Sequence, residues 1–206
     1  MSQKDHWEQI YSIKPTDKLG WYTPHLSTSL HWIEALGLER DAPIIDVGGG
    51  ASTLVDDLLD AGYRSLTVLD LSDKALAAAQ ARLQDKAKRV TWLVGDVRSV
   101  ELPRYHYALW HDRAVFHFLT AAEQRQKYRD TLTHALKPGG HLLIGTFAPD
   151  APPKCSGLPV RRYSAEQLEN ALGEVFELQR HQKELHITPA GVEQMYLYCL
   201  FRKAAS

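Results

Sequence analysis

Short apolar runs recur at 44–47, 65–70, 90–94, 107–111 and 141–147, and between them apolar side chains fall three and four positions apart. Runs of the first kind predict strands buried on both faces; the second spacing predicts amphipathic helices. Leu54, Val55, Leu58 and Leu59 make one helical stripe, and Ser72 stands as the N-cap of an alanine-rich helix over 74–83. A third helix, over 121–136, stops at Lys137-Pro138-Gly139-Gly140, where proline and glycine turn the chain into the next strand.

Ahead of this alternation, Trp7, Ile10 and Tyr11 share a helical face, as do Leu26, Leu30 and Ile33, with a link punctuated by Pro and Gly over 14–24. Behind it, Ser164-Ala165-Glu166-Gln167 fits a capping box that opens a helix over 165–172. Two extended segments follow, 175–185 and 195–202, joined by the turn-rich stretch Thr188-Pro189-Ala190-Gly191. Too little chain separates them for a helical crossover, so they are expected to pair antiparallel. The expected fold is α/β: a doubly wound, mostly parallel seven-stranded sheet, helices on both faces, an antiparallel C-terminal hairpin and a short N-terminal helical extension.

Composition narrows the class. At 206 residues the chain suits a single domain with one substantial core. Hydrophobic residues make up 44%, charged residues 24%, and the formal net charge is −1, the profile of a globular protein with no basic excess for a nucleic-acid partner. The two cysteines, Cys155 and Cys199, form no Cys-x-x-Cys pair, which points to a reducing setting, cytoplasmic, and to no metal site. No apolar run approaches membrane-spanning length and the N-terminus lacks a signal core, so no membrane partner is expected. The expected state is a monomer or homodimer.

The chemistry gathers at strand ends. Gly48-Gly49-Gly50-Ala51-Ser52 directly follows the first strand, and such a turn lets the backbone approach a ligand closely. Taken alone, it is as readily just a tight turn. Asp46, Asp70 and Asp96 stand at the ends of, or just past, the first three strands, where a doubly wound sheet binds its ligands. Asp70 suits ribose hydroxyls, Asp96 an adenine amine, and Asp46 the cationic end of a cofactor. Three carboxylates repel a dinucleotide pyrophosphate and attract a sulfonium and an ammonium. The loop also departs from Gly-x-Gly-x-x-Gly, since Thr53 holds the third glycine position.

With these residues in place, the segment from Ile44 to about Phe147 resembles the class I S-adenosylmethionine (SAM)-dependent methyltransferase family. Asp46-Val47-Gly48-Gly49-Gly50-Ala51-Ser52 resembles its first motif, with Ser52 in place of the usual last glycine. Asp70-Leu71-Ser72 is similar to its ribose-binding position, Gly95-Asp96-Val97 to its adenine-binding position, and Leu136-Lys137-Pro138-Gly139-Gly140 to the turn before its fifth strand. The resemblance implies SAM as cofactor, S-adenosylhomocysteine (SAH) as product, and Asp46, Gly48, Gly49, Gly50, Asp70, Leu71, Asp96 and Val97 as cofactor-binding residues. It divides the domain into an extension (1–40), a cofactor-binding core (41–148) and a substrate loop, helix and hairpin (149–206).

The acceptor side is expected beyond the fourth strand. There His111 or Asp112 takes a proton or orients the acceptor, Arg113 pairs with an acidic substrate group, and His117 lines the pocket. The plainer alternative is that Asp112 caps the next turn and His117 packs as core. Trp21 and Tyr22 either form an aromatic lid or dock the N-terminal helices. The proline-rich stretch 147–159, with Phe147 and Cys155, is expected to be a substrate loop, although Cys155 reads more readily as a packed thiol than as an acceptor contact. A small-molecule acceptor is the first expectation. A protein acceptor is the alternative, because the Trp7 to Trp21 preface and Asp112-Arg113-Ala114-Val115-Phe116 are similar to elongation-factor lysine methyltransferases. A SAM-binding module without turnover and a nicotinamide-dependent reductase are more distant alternatives.

Overall fold

The computed structural model describes residues 2–205. In chain order the elements are α1 (Gln3–Ile13), α2 (Ser27–Ala35), β1 (Ile44–Val47), α3 (Leu54–Asp60), β2 (Leu66–Asp70), α4 (Asp73–Leu83), β3 (Val90–Val94), β4 (Tyr107–Arg113), α5 (Ala122–Ala135), β5 (Leu136–Phe147), β6 (Lys154–Cys155), β7 (Leu158–Pro159), α6 (Ala165–Leu172), β8 (Phe176–Ile187) and β9 (Glu193–Lys203). The main sheet has seven strands in the order β3-β2-β1-β4-β5-β9-β8. Pairing is parallel from β3 through β5 and antiparallel where β9 meets β5 and β8. The expected α/β sheet is therefore present.

Side chains alternate across the sheet, so each face collects its own core. Trp110, Leu142 and Ile144 pack with Tyr128 and Leu132 of α5 and Leu168 of α6. Leu109 and Leu143 pack on the other face with Trp32 and Ile33 of α2 and Leu54 and Leu58 of α3. Each such side chain, fully buried, stabilises the fold by about 1.5–3 kcal/mol.

Three boundaries differ from the sequence pattern. β5 begins at Leu136, with Lys137-Pro138-Gly139-Gly140 inside it, because Leu136 already pairs with Tyr107. A register shift between Tyr107 and Leu109 absorbs the kink, and Gly139 adopts φ +72 there. β4 runs past His111 to Arg113, since Arg113 still pairs with Gly145. The 147–159 stretch is not plain loop: it carries the small antiparallel hairpin β6–β7. Among the described residues, no helix is long and apolar enough to cross a membrane, and no group of three or more His, Cys, Asp and Glu is placed to hold a metal ion.

Candidate cofactor and acceptor site

The carboxyl ends of β1, β2 and β4 set the floor of the site. After Val47 the chain turns at Gly48, whose φ of +70 an L side chain rarely adopts. A Cβ at Gly49 would collide with the Asp46 carboxylate, and one at Gly50 would sit 2.7 Å from Asp70 Oδ2 and 2.6 Å from Ala75 Cβ. Absent side chains thus let the loop backbone press against both carboxylates. Gly50 N–H donates to Asp70 Oδ2 at 3.0 Å and Ser72 N–H to Oδ1 at 2.8 Å. Burial raises the Asp70 pKa to about 6, partly offset by these two donors.

Asp46, 3% exposed, divides its oxygens. Oδ1 lies 2.6 Å from His111 Nδ1, and His111 Nε2 lies 2.9 Å from Ser29 Oγ on α2. Oδ2 is buried without a hydrogen-bond partner. Asp96 accepts from Arg98 Nε at 2.8 and 3.0 Å and from the Arg98 backbone N–H at 2.9 Å. Burial would raise its pKa, but the Arg98 hydrogen bonds and charge outweigh this and leave it lowered.

Over this floor lie two adjacent chambers. The larger, about 830 Å³ counting its open mouth, is bounded below by Gly48, Asp70, Leu71, Asp96 and Val97, and above by Trp7 and Tyr11 of α1. Arg113, Phe118 and Cys155 complete its far wall. The smaller, about 390 Å³, lies against Asp46, Gly49, Tyr22 and His111. Trp21, Gly48 and Arg113 border both. Gly50 borders neither and contributes its N–H to Asp70.

The fourth-strand candidates separate. Arg113 is the residue that reaches both chambers. Asp112 is fully buried: Oδ1 accepts from Val115 N–H at 2.9 Å, and Oδ2 from Phe116 N–H at 3.1 Å and the Tyr128 hydroxyl at 2.6 Å. Tyr128 in turn accepts from Trp110 Nε1 at 3.0 Å. Burial lifts the Asp112 pKa to about 6. His117 is also fully buried, outside both chambers, with Nδ1 accepting from Phe147 N–H at 3.3 Å. Burial, then the Arg113 charge, lowers its pKa to about 3, so it is neutral. Phe147 packs between His117 and Tyr196, away from the cavity. Cys155 lines the large chamber while 5% exposed, its thiol pushed up to about 11 by burial.

Several neighbours escaped the sequence pattern. Trp7 meets Trp21 and Phe118 edge-on at 5.5 and 5.2 Å, and Tyr11 meets Trp21 at 5.9 Å, forming one aromatic wall. The shared face of Trp7 and Tyr11 was legible; what it covers was not. Ser29, Tyr196 and Tyr198 carried no signal, because their partners are distant in sequence.

These groups fit a nucleoside bearing a cationic amino-acid tail. The glycine loop packs on both carboxylates, Asp70 borders the large chamber, and Asp46 Oδ2 is a buried acceptor lacking a donor. A family model described as a methyltransferase domain matches residues 44–140. The chain carries a SAM-dependent methyltransferase domain. This methyltransferase is 21% identical to human EEF1A lysine methyltransferase 2 over 194 residues, spanning 86% of this chain and 75% of the relative. It superimposes with a TM-score of 0.69 on 1,6-didemethyltoxoflavin-N1-methyltransferase of Burkholderia thailandensis, solved with its namesake compound and SAH, at 20% identity over 98% of this chain and 84% of that one. A structure describing conversion of a disulfide bond into a thioacetal group during echinomycin biosynthesis aligns with a TM-score of 0.78 at 17% identity, over 100% and 94% of the two chains.

Proposed function

We propose that this methyltransferase acts on a small-molecule acceptor, held in the large chamber against Trp21, Arg113 and Cys155. The observation that carries the reading is the roof over that chamber. α1 lies over it with Trp7 against Trp21 and Phe118, and His6 Nε2 on α1 reaches Ser156 O in the β6–β7 turn at 3.1 Å. The resulting space is an aromatic-walled chamber roofed by a helix, a shape that suits a small acceptor better than a polypeptide.

When bound, SAM supplies a methyl group on a sulfonium, open to in-line displacement. Asp70 would accept from the ribose hydroxyls, Asp46 from the ammonium and Asp96 from the adenine amine, with Leu71 and Val97 as apolar walls. Aromatic faces of Trp7, Tyr11 and Trp21 favour a cation nearby and exclude water. His111 acts as a positioning residue. With Nδ1–H donating to Asp46 and Nε2 accepting from Ser29, it has no lone pair for a substrate proton. Asp112 holds the 113–118 turn, and His117 spends its lone pair on Phe147 N–H. The nucleophile therefore arrives deprotonated or gives its proton to water, and the rate across a series of acceptors should follow their own pKa values.

A protein acceptor is the second reading, favoured by the likeness to human EEF1A lysine methyltransferase 2. SAH formation separates the two when measured with thiols, carboxylates, phenols and amines on one side and lysate proteins on the other. Turnover with a small acceptor supports the first reading; methyl incorporation into protein alone overturns it.

A further inference from the structure

The Arg113 guanidinium borders the acceptor space without a carboxylate bound to it. Arg98, partly buried on the same cavity, is neutralised by Asp96. Arg113 has only neutral hydrogen-bond partners: its Nε donates to Tyr198 Oη at 2.8 Å and its Nη1 to Trp21 O at 3.0 Å. The guanidinium lies 4.2 Å from the centroid of the Tyr196 ring. Glu184, the carboxylate whose charge reaches it, is engaged by the Thr28 hydroxyl. Of five N–H donors, the other three have no protein acceptor among the described residues.

A guanidinium fixed at two nitrogens, stacked on a ring and lacking a counter-ion presents its free edge to an anion. Arg113 borders both chambers, on the wall it shares with Phe118 and Cys155 rather than with the ribose carboxylate. A sulfonium entering that space brings a second positive charge, and an anion beside Arg113 offsets the repulsion. An ammonium acceptor would add to it. We propose that Arg113 is the residue that selects the acceptor, and that the acceptor is a small carboxylic acid bound as its anion. This deepens, and rests on, the small-molecule reading above.

The test is binding to the SAH-loaded protein, independent of turnover. Acetate, succinate and benzoate are titrated against acetamide, succinamide and benzamide by calorimetry. At least one acid should bind about tenfold or more tightly than its amide, as a charge-assisted pair implies. Arg113→Gln should reduce that preference to within about threefold, and Arg113→Lys should keep part of it. SAH affinity should change by less than about threefold in either variant. Thermal melts establish that the variants are folded, and the acid-against-amide comparison in the unaltered protein stands without them. If no acid outbinds its amide, the proposal fails. It also fails if Arg113→Gln weakens SAH by about tenfold or more, which would assign Arg113 to the cofactor's own carboxylate. Failure of the small-molecule reading looks different: methylated protein appears in the turnover assay and no small acceptor is consumed.

Discussion

Asp46 spends one oxygen on His111 and keeps the other unpartnered, while Asp70 has both oxygens bound to backbone N–H groups and still carries a raised pKa. The pH consequence has two signs. A folded pKa of about 6 against the ordinary aspartate value of 3.8 means that ionising Asp70 costs stability as pH rises from about 4 through 6. With the ionised form holding the ribose hydroxyls, as proposed, SAH affinity should weaken as pH falls from 7 to 5. Calorimetry should show that slope in the native protein and its loss in Asp70→Asn. Asp112 obeys a different logic, because it binds protein groups alone: Asp112→Ala leaves the Val115 and Phe116 N–H groups and the Tyr128 hydroxyl unpaired and should cost about 2–4 kcal/mol in denaturant unfolding. Gly49→Ala places a methyl group on the Asp46 carboxylate and should lower stability by about 1–3 kcal/mol and abolish measurable SAH binding.

At the scale of elements, α1 has no fully buried residue, yet Trp7 and Tyr11 roof the large chamber. Trp7→Ala should therefore weaken SAH by about tenfold while moving the melting temperature by no more than about 2 °C, checked by calorimetry and a thermal melt. The hydrophobic period revealed that helix and its apolar face, since both are local. It also placed Asp46, Asp70 and Asp96, because each ends or follows an apolar run. Boundaries that depend on pairing were less legible: nothing in the polar residues 112–113 signals that β4 continues opposite Ile144 and Gly145. The role of His111 was hidden for the same reason. Its partners are 65 and 82 residues away, Asp46 on the neighbouring strand and Ser29 on a helix packed across the sheet end. Spacing identifies a histidine at a strand end; only the fold shows both ring nitrogens occupied.

For the whole molecule, the strand order places β1 between β2 and β4, where successive connections leave the sheet on opposite sides and open a crevice at the carboxyl ends. The glycine loop, three carboxylates and the N-terminal roof converge on that crevice. Ligand bound there stabilises the entire fold by mass action, about 2.7 kcal/mol at one hundred times its dissociation constant. SAH at that level should raise the melting temperature by about 5–10 °C, whereas nicotinamide dinucleotides should leave it unchanged. The most direct test of the site is calorimetric titration of SAH into the native protein and Asp70→Asn at neutral pH. If Asp70 holds the ligand, binding is one-to-one and weakens by about 10–100-fold in the variant. Equal affinity in the two proteins, with both folded, would contradict it.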